Sequence, residues 1–207
     1  MLRVLRNKKT AKKIWIILAI VIFNFAFGAS QEVMATAAPG ILWVTFAFAG
    51  VLSLNRSFVL EKEEGCLEGL MVCPVRREVI YMGKMLGNLI FMLFVEAIVL
   101  PVFALLFNVA VISFPLVTVA LLATLGFVAV GTLFSALAVN TRAREMVLPI
   151  LFFPIVAPVI ICAVNASGLA LAGEPWGSLS SWLEIIAAFD VIFLVASYLI
   201  FAFVIEE

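Results

Sequence analysis

Two carboxyl groups stand inside otherwise apolar stretches, and their residue type demands an explanation. Glu96 lies in FMLFVEAIVLP and Asp190 in AAFDVIF. An ionisable side chain at membrane depth is costly, and by default it marks ion, proton or substrate handling. The structural alternative is a carboxylic acid held neutral and hydrogen-bonded to a neighbouring helix. Both readings stand open for Glu96. For Asp190, about two turns into its apolar segment, the structural role is preferred, because the side chain is within reach of an outer vestibule.

The rest of the chemical inventory is thin. The chain has no histidine, so the usual general base and the commonest metal ligand are missing. No serine or cysteine sits in a nucleophile motif such as G-x-S-x-G. GFVAVGT at 126–132 has the glycine spacing of a phosphate loop, but it lacks the lysine and no strand precedes it. Gly126 and Gly131 therefore read as positions of close helix approach. Cys66 and Cys73, if helical, stand about 10 Å apart along the axis, too far for a disulfide. With Cys162 they read as small core residues. The expectation is a chain with no catalytic residue, no metal site, no ATPase motif and no cofactor of its own.

One segment carries dense charge: RSFVLEKEEGCLEGLMVCPVRRE at 56–78. Leu60, Leu67, Leu70 and Met71 fall roughly on one helical stripe, and Glu61, Glu64 and Glu68 fall at helical spacing on another face. The spacing predicts a short amphipathic helix, ended by Pro74, followed by a turn and an apolar span. A solvated loop that only anchors topology explains the charge, but not the periodic leucines or the carboxylate stripe. A docking helix, with its apolar side in a partner's groove and its charges setting register, explains both.

These residues need elements to hold them. Of the 207 residues 66% are hydrophobic, far above the roughly 45–50% of soluble domains. Six apolar runs, at about 14–32, 39–60, 84–108, 114–139, 146–168 and 181–204, approach or exceed the roughly 20 residues needed to cross a bilayer. They are apolar all round, so they predict helices rather than barrel strands. The expectation is an all-α integral membrane protein of six spans in one domain, 1–207, with a cytoplasmic segment at 56–83. All thirteen lysines and arginines fall before span 1, around the connection of spans 2 and 3, or between spans 4 and 5. That asymmetry places both termini and the charged segment in the cytoplasm. The first thirteen residues read as a basic segment lying on the anionic inner leaflet. A cleaved leader ending near Ala35-Thr36-Ala37 is the weaker reading, because the apolar run is longer than a usual signal core.

Trp15, Trp43, Trp176 and Trp182 fall near expected span ends, as an aromatic belt would place them. The semi-polar stretch at 167–180 is expected to dip back as a short re-entrant element. Gly83 and Gly87, at i and i+4, are expected to let helices approach closely at the base of span 3.

The charged segment resembles the signature of the heme exporter protein B (CcmB) family. Arg-x-Phe, an acidic residue, Gly-[Thr/Ser/Cys]-Leu-Glu-x-Leu, Pro and then Lys are met by Arg56, Phe58, Glu61, Gly65, Cys66, Leu67, Glu68, Leu70, Pro74 and Lys84. Glu61 stands where many members have Asp. LGFVAVGTLFSAL, PVIICAVNAS and the C-terminal FDVIFLVASYLIFAFVIEE are also similar to the family, so the likeness covers nearly the whole chain.

The resemblance implies an ABC-2, or type V exporter-like, permease half in the inner membrane of a prokaryote. Such a half works as a homodimer with two copies of a separate ATPase, here CcmA-like, on which ATP is bound and hydrolysed. CcmC-like and CcmD-like membrane subunits are its other implied partners, in a complex linked to release of heme-loaded CcmE; the lipid bilayer is its environment, and nucleic acid is not a partner. The 56–78 segment would then be a coupling helix. Three functions stay open: a permease for cytochrome c maturation, an ABC-2 permease for another cargo such as a lipid, polysaccharide or drug, and an assembly subunit that moves nothing. Heme ligation by this chain is not expected, since histidine is absent and Cys66, Cys73, Cys162, Tyr81, Tyr198 and the methionines are poorly placed for it.

Overall fold

Runs of leucine, valine, phenylalanine and alanine with no polar partners nearby must satisfy their backbone groups internally, and the helix is the way to do so. The computed structural model describes residues 31–63, 69, 76–107, 113–139 and 144–204. They form α1 (Gln31–Glu63), α2 (Arg77–Phe107), α3 (Phe114–Val139), α4 (Arg144–Leu171) and α5 (Trp176–Val204), with no strand among the described residues. Each of the five contains a stretch long and apolar enough to cross a membrane. The chain is a multi-pass membrane protein.

α3 is the axis of the bundle and touches each of the other four. Around it the neighbours run α1, α2, α5, α4 and back to α1. The reason lies in its composition: it carries no charged residue, and Ala123, Gly126, Ala129, Gly131 and Ala136 are small enough for backbones to close on it from several sides. The buried side chains divide into two clusters along its length. One gathers Trp43, Phe46, Phe103, Leu116 and Leu179; the other gathers Leu54, Tyr81, Met92, Phe127, Phe152 and Phe201.

Several expectations need correction. The run at 14–32 lies outside the described residues except for its last two positions, which belong to α1. The span expected to begin at residue 39 starts earlier: Pro39 is buried inside α1, and its ring packs where Gly168 of α4 has no side chain. A proline inside a membrane helix is tolerated where neighbouring helices enclose it. At its other end α1 continues to Glu63, so Arg56, Phe58 and Glu61 belong to the same helix as the span, not to a separate cytoplasmic one. α2 likewise starts at Arg77 rather than at 84 and buries Tyr81 completely, so the last part of the 56–83 segment belongs to the bundle.

The re-entrant element at 167–180 does not exist. α4 runs on to Leu171 and α5 starts at Trp176, leaving a short turn. Its geometry is a Schellman cap: Glu174 N–H donates to Leu169 O at 3.1 Å and Gly173 N–H donates to Ala170 O at 3.3 Å, with Gly173 at φ 76°. A helix end capped this way needs no descent into the bilayer to satisfy its carbonyls. Trp43 is not a belt residue either; it is buried, and its Nε1–H donates to Ser167 Oγ at 2.9 Å. Trp176, exposed at the start of α5 and stacked on Phe114 at the start of α3, does occupy a span end.

Candidate functional site

The two aromatic clusters meet in a layer that contains both intramembrane carboxyls. Glu96 projects from α2 and is 3% exposed. Thr124 of α3 donates its hydroxyl to Glu96 Oε1. Asp190 projects from α5, another neighbour of that stretch of α3, is 4% exposed, and rests on Gly126 of α3. A Cβ on Gly126 would collide with Asp190 Oδ1, so the missing side chain is what seats the carboxyl against the α3 backbone. Among the described residues neither Asp190 Oδ1 nor Oδ2 has a hydrogen-bond partner. The expected access of Asp190 to an outer vestibule is overturned. α5 starts at Trp176 instead of 181, which puts about four turns between the helix start and Asp190.

Further along the bundle, α3 supplies a series of polar contacts to its neighbours. Tyr81 OH donates to Ala129 O at 2.9 Å, Asn88 Nδ2 donates to Thr132 Oγ1 at 3.1 Å, and Ser135 Oγ donates to Leu54 O at 2.5 Å. Sequence reasoning missed these ties. Their signal was Thr132 and Ser135 at i and i+3 inside an apolar run, a spacing that puts both hydroxyls on one side of a helix.

The hydrogen bond between Thr124 and Glu96 sets a test. Thr124→Val is expected to lower stability by about 1 kcal/mol, the order found for interhelical hydrogen bonds in membranes. Glu96→Gln keeps an acceptor for Thr124 and is expected to cost less. Denaturation of the detergent-solubilised chain measures both, and the reverse order would assign Glu96 a role that needs its charge.

Gly126 and Gly131 are positions of close approach, as their spacing predicted: Gly126 faces Asp190 and Phe189 of α5, and Gly131 faces Leu54 of α1 and Phe152 of α4. Among the described residues, Gly83 and Gly87 are not. Both are exposed, a Cβ on either meets nothing within 4 Å, and they share the outward side of α2 with Leu86, Ile90 and Phe94. Gly83→Leu and Gly87→Leu are therefore expected to leave the melting temperature of the solubilised chain within experimental error. A large drop would mean that a neighbour covers this side.

The proposed coupling residues are only partly placed. Arg56, Phe58 and Glu61 lie on the last turns of α1 by backbone. Glu64, Gly65, Leu67, Glu68, Leu70 and Pro74 fall outside the described residues. Among the described residues no three His, Cys, Asp or Glu side chains gather in a way that could hold a metal ion.

Comparison with known proteins resolves the family. A model of the CcmB protein family matches residues 2–206, and so spans all five described helices. The chain belongs to the CcmB family. Among its CcmB relatives is heme exporter protein B of Pseudomonas aeruginosa, 27% identical over 172 residues, which are 83% of this chain and 77% of that protein. Heme exporter protein B of Rhodobacter capsulatus is 30% identical over 161 residues, 75% of this chain and 74% of the relative. The protein of that name from Paracoccus denitrificans is 31% identical over 150 residues, 72% and 69% of the two chains. For this CcmB family member the helices that hold the carboxyl layer all lie within the residues that the family model matches.

Proposed function

We propose that this chain is the transmembrane subunit of an ABC transporter complex in cytochrome c biogenesis, associated with heme export or release of a heme-loaded chaperone. The observation that carries this reading is the match to the CcmB family over residues 2–206, with relatives called heme exporter protein B. Four apolar helices around a fifth, glycine-bearing central helix support a membrane-embedded, force-receiving role. ATP hydrolysis belongs to a separate CcmA-like subunit, with CcmC-like and CcmD-like subunits beside it, in a prokaryotic inner membrane. Lysine and arginine asymmetry puts both termini and the α1–α2 connection on the cytoplasmic side. The coupling segment then meets the ATPase, and because α1 is one helix from Gln31 to Glu63, a push at Arg56–Glu63 travels as rigid-body motion into the span.

The test is co-reconstitution in proteoliposomes. ATP hydrolysis by the ATPase subunit is expected to rise when this chain is present, and release of heme-loaded chaperone is expected to require ATP. An ATPase indifferent to the chain would end this reading.

The complex handles heme without axial ligation from this subunit. Met85, Met92 and Cys162 are buried among packed helices, and the Tyr81 hydroxyl is taken up by Ala129 O. The chain purified alone is expected to show no stoichiometric heme Soret band. A band abolished by changing one Cys, Met or Tyr would refute this.

A further inference from the structure

The two buried carboxyls of the middle layer are not equivalent. Glu96 is engaged by Thr124, whereas Asp190 is closed in by α3 and α5 with both oxygens unpartnered. An ionised carboxylate buried in that position gains no compensating charge or donor from any described residue, which is strongly unfavourable. α5 packs against α2, α3 and α4. α3 contributes no ionisable side chain to this environment. α2 brings Glu96, already bonded to Thr124, with Lys84 and Tyr81 towards its start and Arg77 and Glu78 at its first turn. Tyr81 packs at a tilt against Phe201, eleven residues and about 16 Å further along α5 than Asp190. α4 has Cys162 within the span, and its Arg144 and Glu145 are at its first turn. On α5 itself Glu184 is exposed and Tyr198 is half-buried towards the far end.

We propose that Asp190, seated on the bare α-carbon of Gly126, is a proton-binding site whose occupancy is linked to the approach of α3 and α5. With the helices together the carboxyl holds a proton, because no described residue offers it a donor or an opposite charge. When they part, water reaches the carboxyl and the proton leaves. Proton binding and the closed arrangement therefore favour each other, as linkage requires. Gly126 is part of the device: any side chain there would push the carboxyl off its seat. A purely structural acid would be bonded as Glu96 is. This inference does not depend on the cargo or on the ATPase.

Asp190 is the single aspartate of the chain, which makes the test direct. The full-length chain is produced with aspartate carrying a heavy carbon at its side-chain carboxyl, reconstituted in lipid, and followed by infrared or magnetic resonance spectroscopy. The expected result is one carboxylic-acid signal at neutral pH that converts reversibly to a carboxylate signal as the pH is raised. Gly126→Ala is expected to lower the proton affinity by on the order of tenfold, about one pH unit. Glu96→Gln is expected to leave the conversion in place, and Asp190→Glu with labelled glutamate to restore a titrating signal. A carboxylate signal at neutral pH would overturn the proposal, since it would mean a charge partner. An acid signal that fails to convert wherever the chain stays folded would also overturn it, since the proton would then be locked. The wild-type titration decides between these outcomes even if a variant fails to fold.

Discussion

Gly131→Leu is expected to leave little correctly folded protein. At this point α1 and α4 both close on α3. A Cβ on Gly131 would run into Leu54 of α1 and stand 3.2 Å from Phe152 Cε2 of α4. Neither neighbour can retreat by more than a small side-chain adjustment: Leu54 is 1% exposed and Phe152 is fully buried, edge-on to Phe127 at 4.8 Å. One turn on, Ser135 Oγ donates to Leu54 O, so moving α1 away would also strain that bond. Overpacking a tight core typically costs about 1–3 kcal/mol and sometimes more, and a leucine here must part three helices at once. Gly131→Ala, which only asks the Leu54 side chain to shift, is expected to cost nearer 1 kcal/mol. The measurement is the monodisperse fraction of solubilised protein after heating, with Gly87→Leu as the outward-facing control. Equal melting of Gly131→Leu and Gly87→Leu would contradict the close approach of α1, α3 and α4.

The second large effect is functional rather than structural. Reversing charge at Glu64 and Glu68 together is expected to abolish chaperone release and ATPase stimulation while membrane insertion stays normal. The reason is a difference of environment. These carboxylates belong to the charged segment outside the apolar spans, where a lysine costs little to accommodate, whereas register against a partner depends on the sign of the rim charges. Like charges brought together at an interface cost several kcal/mol, enough to lose most of a complex. The readout pairs quantitative membrane fractionation with ATPase activity of the reconstituted complex. If the double variant inserts, stimulates the ATPase and supports maturation as the wild type does, the coupling assignment is wrong. If insertion fails, the residues serve topology instead. A partner-side reversal that rescues the double variant would identify the contact surface directly.

The sequence by itself determined the class of molecule. Runs apolar on every side can only be helices in lipid, and the segment 114–139 matched α3 residue for residue. It also pointed to Gly126 and Gly131, because small residues inside such a run mark close approach. It could not tell those glycines from Gly83 and Gly87, which have the same local character. Which side of a helix meets a neighbour is a property of the neighbour, and only the bundle turned the Gly83 side of α2 outward. Helix ends were misread where tertiary contacts extend a helix past its local breakers: Gly168 leaves room for Pro39, and a Schellman cap at Gly173 replaces a loop. The two carboxyls were visible as residue types, but their unequal environments were not. Thr124 and Gly126 stand two residues apart on α3 and so face different neighbours. One gives Glu96 a hydrogen bond, and the other gives Asp190 only space.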